Sequence, residues 1–231
     1  MTPPRVEVIV PFYGTCAHRR KALDWVLEKH EHPVTVAYGD EPWVKADAIR
    51  PAVEASSAEI LVMADADCWT DGLPAAIRAV ELGAPWAKPH DLVHRLTKES
   101  TAALYGGRPW HELDERPYQG VAGGGFVVAR RETFLAVPMD PRFVGWGQED
   151  LAFAMALHTL AGPAWLGGAD LTHLWHPPEP RLSRAWGSVE GKQLLKRYGG
   201  AKGNPELIGQ LVKEIHAHQS AQPALHPDPA H

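Results

Sequence analysis

The chain has 231 residues, of which 45% are hydrophobic and 22% charged, so it can bury a core and is not disordered throughout. Its net charge of −5 gives no general attraction for nucleic acid, and two cysteines, Cys16 and Cys68, exclude a disulfide framework. A cytoplasmic setting is expected, because the chain shows no secretion-signal pattern and no apolar run of membrane-spanning length.

The first half of the chain alternates strand and helix signals. Three strands are predicted where short apolar or β-branched runs meet turn residues: 6–10, 34–38 and 60–63. Three helices are predicted where apolar residues recur at helical spacing: 16–30, 44–56 and 74–82. Three strand–helix units in series predict an α/β fold with a parallel sheet and right-handed crossovers.

The second half has weaker signals. A glycine-rich stretch precedes a predicted strand over 126–129, and a helix is predicted over 149–161. The last stretch, 216–231, is rich in His, Pro and Ala. The sequence therefore predicts one domain over 1–215 and a disordered tail over 216–231.

Asp65 and Asp67 stand directly after the predicted strand over 60–63. Open α/β sheets bind ligands at the carboxyl ends of their strands, and Mg²⁺ or Mn²⁺ prefers carboxylate oxygens in such places. An acidic turn that caps the following helix is the alternative interpretation of the same pair.

Glu149 and Asp150 end the sequence Gly-Trp-Gly-Gln-Glu-Asp at 145–150. At the start of a helix, free amides favour ionised carboxylates, and such a group beside a pocket can act as a general base. Plain N-capping by an acidic first turn is the commoner explanation. Trp146, between two glycines, indicates a ring that packs on something, because a bulky side chain on a flexible hinge is otherwise costly.

His173 and His176 lie three residues apart where a loop is predicted over 173–180. Two imidazoles at this spacing can reach one cation, although a chain with 13 histidines also produces such pairs by chance. The next segment, 181–202, holds six Lys or Arg residues and one Glu. It predicts either a solvated helical face or an anion-binding one.

The order of these motifs resembles the metal-dependent glycosyltransferases of the GT-A fold, especially the galactosyltransferase and polypeptide N-acetylgalactosaminyltransferase type C-terminal region. The resemblance covers roughly residues 5–180 and is carried by 64–67, 123–125 and 145–150. It implies a mostly parallel central sheet with flanking helices in one domain. It also implies a hexosyltransferase that moves a sugar from a nucleotide-diphosphate donor, with a UDP-sugar favoured, to an acceptor hydroxyl.

The resemblance also implies roles for individual residues. Asp67 and His176 would bind Mn²⁺ or Mg²⁺, with Asp65 and His173 as further candidates. Asp150 would be the base of an inverting reaction, with Glu149 holding the acceptor. Donor- and nucleotide-binding positions would be Pro11, Phe12, Tyr13, Asp40, Asp65, Gly123, Gly124, Gly125, Trp146, Arg181 and Arg184. Gln148 departs from the Trp-Gly-Gly-Glu-Asp pattern, which leaves the sugar and acceptor preference open.

Three other functions stay open at this point. The same chemistry could act on a modified DNA base, with the 181–202 segment on the backbone. A sugar-nucleotide nucleotidyltransferase is disfavoured, because no Gly-rich phosphate loop follows the first strand. A non-catalytic sugar-binding module on the same fold would bind sugar without metal-dependent turnover. The chain lacks the phosphate-loop and dinucleotide-binding patterns of NTPases and dehydrogenases.

Overall fold

The computed structural model describes residues 4–109, 113, 115–120, 122–178 and 187–221. The strands within these residues are β1 Val6–Phe12, β2 Val34–Tyr38, β3 Ile60–Ala64, β4 Cys68–Trp69, β5 Trp86–Leu96, β6 Glu115–Gln119, β7 Phe126–Arg130 and β8 Trp165–His173. The helices are α1 Ala17–Leu27, α2 Lys45–Ala55, α3 Leu73–Glu81, α4 Lys98–Tyr105, α5 Arg131–Ala136, α6 Glu149–Leu160, α7 Val189–Ala201 and α8 Pro205–Ala221.

The strands form one sheet in the order β2-β1-β3-β7-β5-β8-β4, with β6 paired to β5. β1 pairs in parallel with both β2 and β3, and β5 pairs in parallel with β8. The remaining ladders between described strands are antiparallel. The predicted α/β class is confirmed, but the sheet is mixed rather than mostly parallel, because β7 runs opposite to both β3 and β5.

The strand–helix units predicted in the first half are present, with ends shifted by a few residues. β1 continues through Pro11 to Phe12, where only β2 pairs with it, so the missing N–H of Pro11 costs no bond to β3. β5 was not predicted, because its buried Lys88, His90 and His94 interrupt the apolar pattern. β4, β6, β8, α4, α5 and α8 were also not predicted, whereas α7 lies within the segment 181–202, for which a helical face was one of two interpretations.

The predicted boundary between domain and tail lies inside α8. Residues 216–221 are helical, because α8 extends from Pro205 to Ala221 and buries Ile208, Leu211, Val212 and Ile215 at helical spacing. The tail prediction is therefore wrong for 216–221, and 222–231 lie outside the described residues.

The core lies on both faces of the sheet. Alternate residues of the central strands point to opposite faces: Val8 and Val10 belong to one apolar cluster and Ile9 to the other. α1 and α3 cover the first face, and α2, α5, α6, α7 and α8 supply residues to the second cluster. No described helix is long and apolar enough to cross a membrane. This two-sided burial fixes the strand ends from which the loops of the site emerge.

Candidate functional site

A cavity of about 170 Å³ lies at the carboxyl ends of β1 and β3. Its walls also include the start of α6 and the end of β8, so segments far apart in the sequence meet there. The predicted site residues that line it are Pro11, Asp65, Asp67, Trp146, Glu149, Asp150, His173 and His176. Three cations that were not predicted also line it: Arg19, Lys45 and Arg95.

Asp67, His173 and His176 form a group whose potential ligand atoms all lie within 4.8 Å of one another. His176 Nε2 is 3.2 Å from Asp67 Oδ2, and His173 Nε2 is 3.9 Å from Asp67 Oδ1. The backbone holds this spacing, because Cys68 pairs with His173 in the β4–β8 ladder and the Leu174 N–H donates to the Asp67 carbonyl over 2.8 Å. The side chains therefore converge without depending on a long loop.

The two imidazoles present their Nε2 atoms toward Asp67. His176 Nδ1 lies 2.7 Å from the Pro177 carbonyl and His173 Nδ1 lies 2.9 Å from the Leu174 carbonyl. Because a carbonyl oxygen only accepts, each Nδ1 carries a proton and Nε2 of the neutral ring carries the lone pair. At His173 the Arg95 guanidinium lies 3.2 Å from Nε2 and donates to it, whereas Nε2 of His176 faces Asp67. A lone pair 3.2 Å from a carboxylate oxygen is the arrangement that a cation between them would satisfy. One carboxylate with two imidazoles suits Mn²⁺ better than Mg²⁺, which prefers oxygen ligands.

The electrostatics of this group centre on Asp67, which is 8% exposed. Burial alone would raise its pKa, but His173, His176 and Arg19 lower that pKa to about 2. Burial also lowers the pKa of His173, which keeps that ring neutral. Asp67 is therefore a carboxylate at neutral pH, in the state that binds a cation.

Asp65 has different partners. Its Oδ1 accepts from Lys45 Nζ over 2.7 Å, and its Oδ2 accepts from the Gly125 N–H over 2.9 Å. Among the described residues it is not part of the potential ligand group. The structure thus places Asp65 in the cavity wall as an ion-paired carboxylate, next to the Asp67 group and not within it.

Glu149 and Asp150 begin α6 on another wall of the cavity. Glu149 is 5% exposed, and its Oε2 has no hydrogen-bond partner among the described residues. Burial, followed by the nearby charge of Asp150, raises the pKa of Glu149. Asp150 Oδ1 accepts from Lys45 Nζ over 2.9 Å. Burial raises the pKa of Asp150 and Lys45 opposes that rise, so the lysine favours its ionised form.

The glycine-rich turn at 123–125 lies against the backbone of Asp150 and hydrogen-bonds the side chain of Asp65. A Cβ atom on Gly123 would lie 2.0 Å from the Asp150 carbonyl oxygen, so only glycine allows this approach of the turn to α6. Gly124 is buried, and the Gly125 N–H binds Asp65. None of the three is among the described residues that line the cavity.

An aromatic stack borders the cavity on the β1 side. Tyr13 stacks on Trp43 at 5.5 Å, and Trp43 stacks on Trp146 at 5.3 Å, which gives the Trp146 ring the packing partner that its sequence context predicts. The Arg19 guanidinium lies 4.2 Å from the centre of the Trp146 ring and 3.9 Å from Asp67 Oδ2. The stack therefore connects the loop after β1 with the loop before α6.

Other residues predicted for donor binding lie elsewhere. Phe12 is buried at the end of β1, and Asp40 is exposed after β2; neither lines the cavity. Arg181 and Arg184 lie outside the described residues.

The described part of the basic segment forms α7. Arg197 on that helix pairs with Glu214 on α8 over 2.9 Å, and Lys196 is exposed. These observations agree with the solvated helical face, one of the two interpretations left open for 181–202.

Lys45 and Arg19 share a sequence signal that was missed. Each stands on the apolar face of an amphipathic helix: Lys45 is buried on the same face of α2 as Ile49, and Arg19 on the same face of α1 as Leu23. A cation at a core-facing helical position is uncommon unless it is paired. That departure from the pattern could have marked both residues.

The fold is similar to solved glycosyltransferase structures, although no protein-family model and no curated protein matches the chain. One is glucosyl-3-phosphoglycerate synthase from Mycobacterium tuberculosis in complex with Mn²⁺, UDP-Glc and phosphoglyceric acid. It is 16% identical, with a TM-score of 0.52, covering 85% of this chain and 80% of that chain. Another is a mannosyltransferase from Pyrobaculum calidifontis in complex with GDP-Man and Mn²⁺, 15% identical with a TM-score of 0.48, covering 96% of this chain and 77% of that chain. The first likeness shows that the chain has the GT-A fold.

Proposed function

We propose that the protein is a metal-dependent glycosyltransferase that moves a sugar from a nucleotide-diphosphate donor to an acceptor hydroxyl. The observation that carries this proposal is the meeting of Asp67, His173 and His176 with Glu149 and Asp150 in one cavity. A cation-binding group and a pair of buried carboxyl groups are the two parts that such a transfer needs. The resemblance of the 145–150 motif to the inverting galactosyltransferase type supports the same assignment.

The charges around the cavity favour an anionic donor once a divalent ion is bound. Its described lining holds four carboxyl groups, Asp65, Asp67, Glu149 and Asp150, against the cations Arg19, Lys45 and Arg95. With all of these groups ionised the balance is −1, and a divalent cation makes it +1. Mn²⁺ or Mg²⁺ held by Asp67 and His176, with His173 beside them, would supply the positive charge that a departing nucleoside diphosphate requires.

The carboxyl groups supply the proton chemistry. In an inverting transfer, Asp150 accepts the proton of the acceptor hydroxyl as that oxygen attacks the sugar. Glu149 Oε2 has no hydrogen-bond partner within the described part of the chain and would hold a second hydroxyl of the acceptor. Glu149 is buried and Asp150 is partly buried, which limits access of competing water and strengthens these contacts.

A UDP-sugar is the donor that we favour. Glucosyl-3-phosphoglycerate synthase, whose fold is similar, was solved with UDP-Glc and Mn²⁺. The cavity opens at the carboxyl ends of β1 and β3, where sheets of this kind bind nucleotides. Pro11, Asp65 and Trp146 line the cavity and are the donor contacts that we propose on the described part of the chain.

The test is a screen of UDP- and GDP-sugars with MnCl₂. Thermal unfolding and release of nucleoside diphosphate are measured with and without EDTA. We expect one donor to raise the melting temperature only with metal, since a ligand of the native state stabilises it, and to be hydrolysed slowly. Stabilisation by free sugars without metal-dependent turnover would instead indicate a sugar-binding module. Release of pyrophosphate from a nucleoside triphosphate and a sugar phosphate would indicate a nucleotidyltransferase.

A further inference from the structure

Lys45 is a buried cation between two carboxylates of the site. It is 5% exposed and is the first residue of α2. Its Nζ lies 2.7 Å from Asp65 Oδ1 and 2.9 Å from Asp150 Oδ1. A single ammonium group therefore joins the turn after β3 to the first turn of α6.

Packing does not explain a lysine at this position. Lys45 shares the buried face of α2 with Ala48, Ile49 and Val53, where an apolar side chain would continue the core without removing a charge from water. Asp150 stands in the first turn of α6, whose free amides and dipole already favour a carboxylate. The lysine is thus not required for either helix to form.

We propose that Lys45 is a positioning residue that holds the Asp150 carboxylate at the cavity wall by tying it to Asp65. The inference rests on the proposed function, in which Asp150 accepts the acceptor's proton. Asp65 is itself held by the Gly125 N–H, so Lys45 connects Asp150 to a carboxylate that the turn before β7 holds in place. The spacing between the donor side and the acceptor side of the cavity is then set by one side chain.

The charges around Asp150 make this contact the main support for its ionised state, because burial works against the effect of the helix dipole. Asp150 is faced by Lys45 from α2, by Asp65 after the end of β3 and by Glu149 on its own helix. Without Lys45, three neighbouring carboxyl groups would share the wall with no direct cation. Their mutual repulsion would favour a protonated Asp150, which cannot act as a base.

A double-mutant cycle on sugar transfer tests the proposal, with Lys45→Met, Asp150→Asn and the combined variant. We expect each single substitution to lower kcat for transfer by about 100-fold or more, the range of general-base catalysis. Because Lys45 acts through Asp150, the combined variant should stay within about threefold of Asp150→Asn alone. Effects that multiply in the combined variant would overturn the proposal. Lys196→Met, on the exposed face of α7, is the matched control and should keep the parent rate.

The pH profile separates positioning from a structural role. In Lys45→Met the low-pH limb of the transfer rate should move to higher pH, because Asp150 loses its cation. Lys45→Arg keeps the charge and should restore the limb toward that of the parent. A lowered rate with an unchanged pH profile in Lys45→Met would contradict the proposal. If Lys45→Met does not fold, Lys45→Gln takes its place in the cycle and in the profile.

Urea unfolding of the four proteins of the cycle (the parent, Lys45→Met, Asp150→Asn and the combined variant) keeps this test separate from that of the proposed function. A paired Lys45 and Asp150 give non-additive shifts of the unfolding midpoint, and this measurement needs no donor or acceptor. If the parent transfers no sugar while the shifts are non-additive, the proposed function fails and the ion pair stands. Additive shifts would overturn the pairing itself, whatever the activity of the parent.

Discussion

Asp67→Asn removes the charge on which the potential metal site centres, and its effect on stability follows from the structure. The folded protein lowers the pKa of Asp67 from 3.8 to about 2. A group whose pKa is lower in the folded state stabilises the fold at pH values above its unfolded pKa. The difference corresponds to about 2 kcal/mol while the two imidazoles and Arg19 are charged. We therefore expect Asp67→Asn to lose about 2 kcal/mol in the free energy of unfolding just above about pH 4, and less at the higher pH values where the imidazoles are neutral.

Urea unfolding in EDTA measures this loss, and the difference from the parent should shrink as the pH falls from about 4 toward 2. Asp71→Asn is the matched control, because Asp71 is exposed and does not line the cavity. MnCl₂ should then raise the melting temperature of the parent and of Asp71→Asn but not of Asp67→Asn. Equal stabilisation of all three proteins by Mn²⁺, or a parent-like unfolding energy for Asp67→Asn, would refute the reasoning.

Three further substitutions test the other wall of the cavity. Asp150→Asn should still bind donor and Mn²⁺ in a thermal shift while transfer falls by about 100-fold or more, and parent-like transfer would remove Asp150 as the base. Glu149 has a raised pKa in the folded state, so its ionisation weakens the fold as pH rises. Glu149→Gln should gain stability over the parent between about pH 5 and pH 9 in urea unfolding, and a constant difference would contradict this. Gly123→Ala places a Cβ 2.0 Å from the Asp150 carbonyl oxygen and should cost about 1–3 kcal/mol; a parent-like urea midpoint would show that the turn can shift.

The first half of the fold could be predicted because its strands and helices each bury one pattern of apolar residues. Val34–Tyr38 was predicted with the bounds that the structure shows, and α2 within one residue at each end. β5 and β8 were not predicted, because polar residues or glycines interrupt their apolar patterns. β5 buries His90 and His94, and β8 includes two adjacent glycines. Mixed polarity inside a buried strand is explained only by the neighbours that it meets across the sheet.

The site residues also fall into those that the sequence could identify and those that it could not. Asp67 and His176 could be named from motif order, and the structure places their side chains 3.2 Å apart. Lys45 could not be named that way, because nothing in its local sequence shows which carboxylates its ammonium group will reach. Asp65 resembled a cation ligand in sequence, whereas its two oxygens are taken by Lys45 and Gly125. Partner choice among charged groups depends on tertiary distance, which a single sequence does not contain.

The short ladder between Cys68 and His173 also has a consequence for ion selectivity. Main-chain hydrogen bonds hold Asp67 close to His173 at the end of β8, so the pocket between their potential ligand atoms cannot widen freely. Ca²⁺ needs bonds of about 2.3–2.6 Å and six to eight oxygens, whereas smaller divalent ions accept shorter bonds and nitrogen donors. A site whose ligand separation is fixed by the backbone would therefore select ions by radius. Calcium should compete poorly with manganese even when calcium is in large excess.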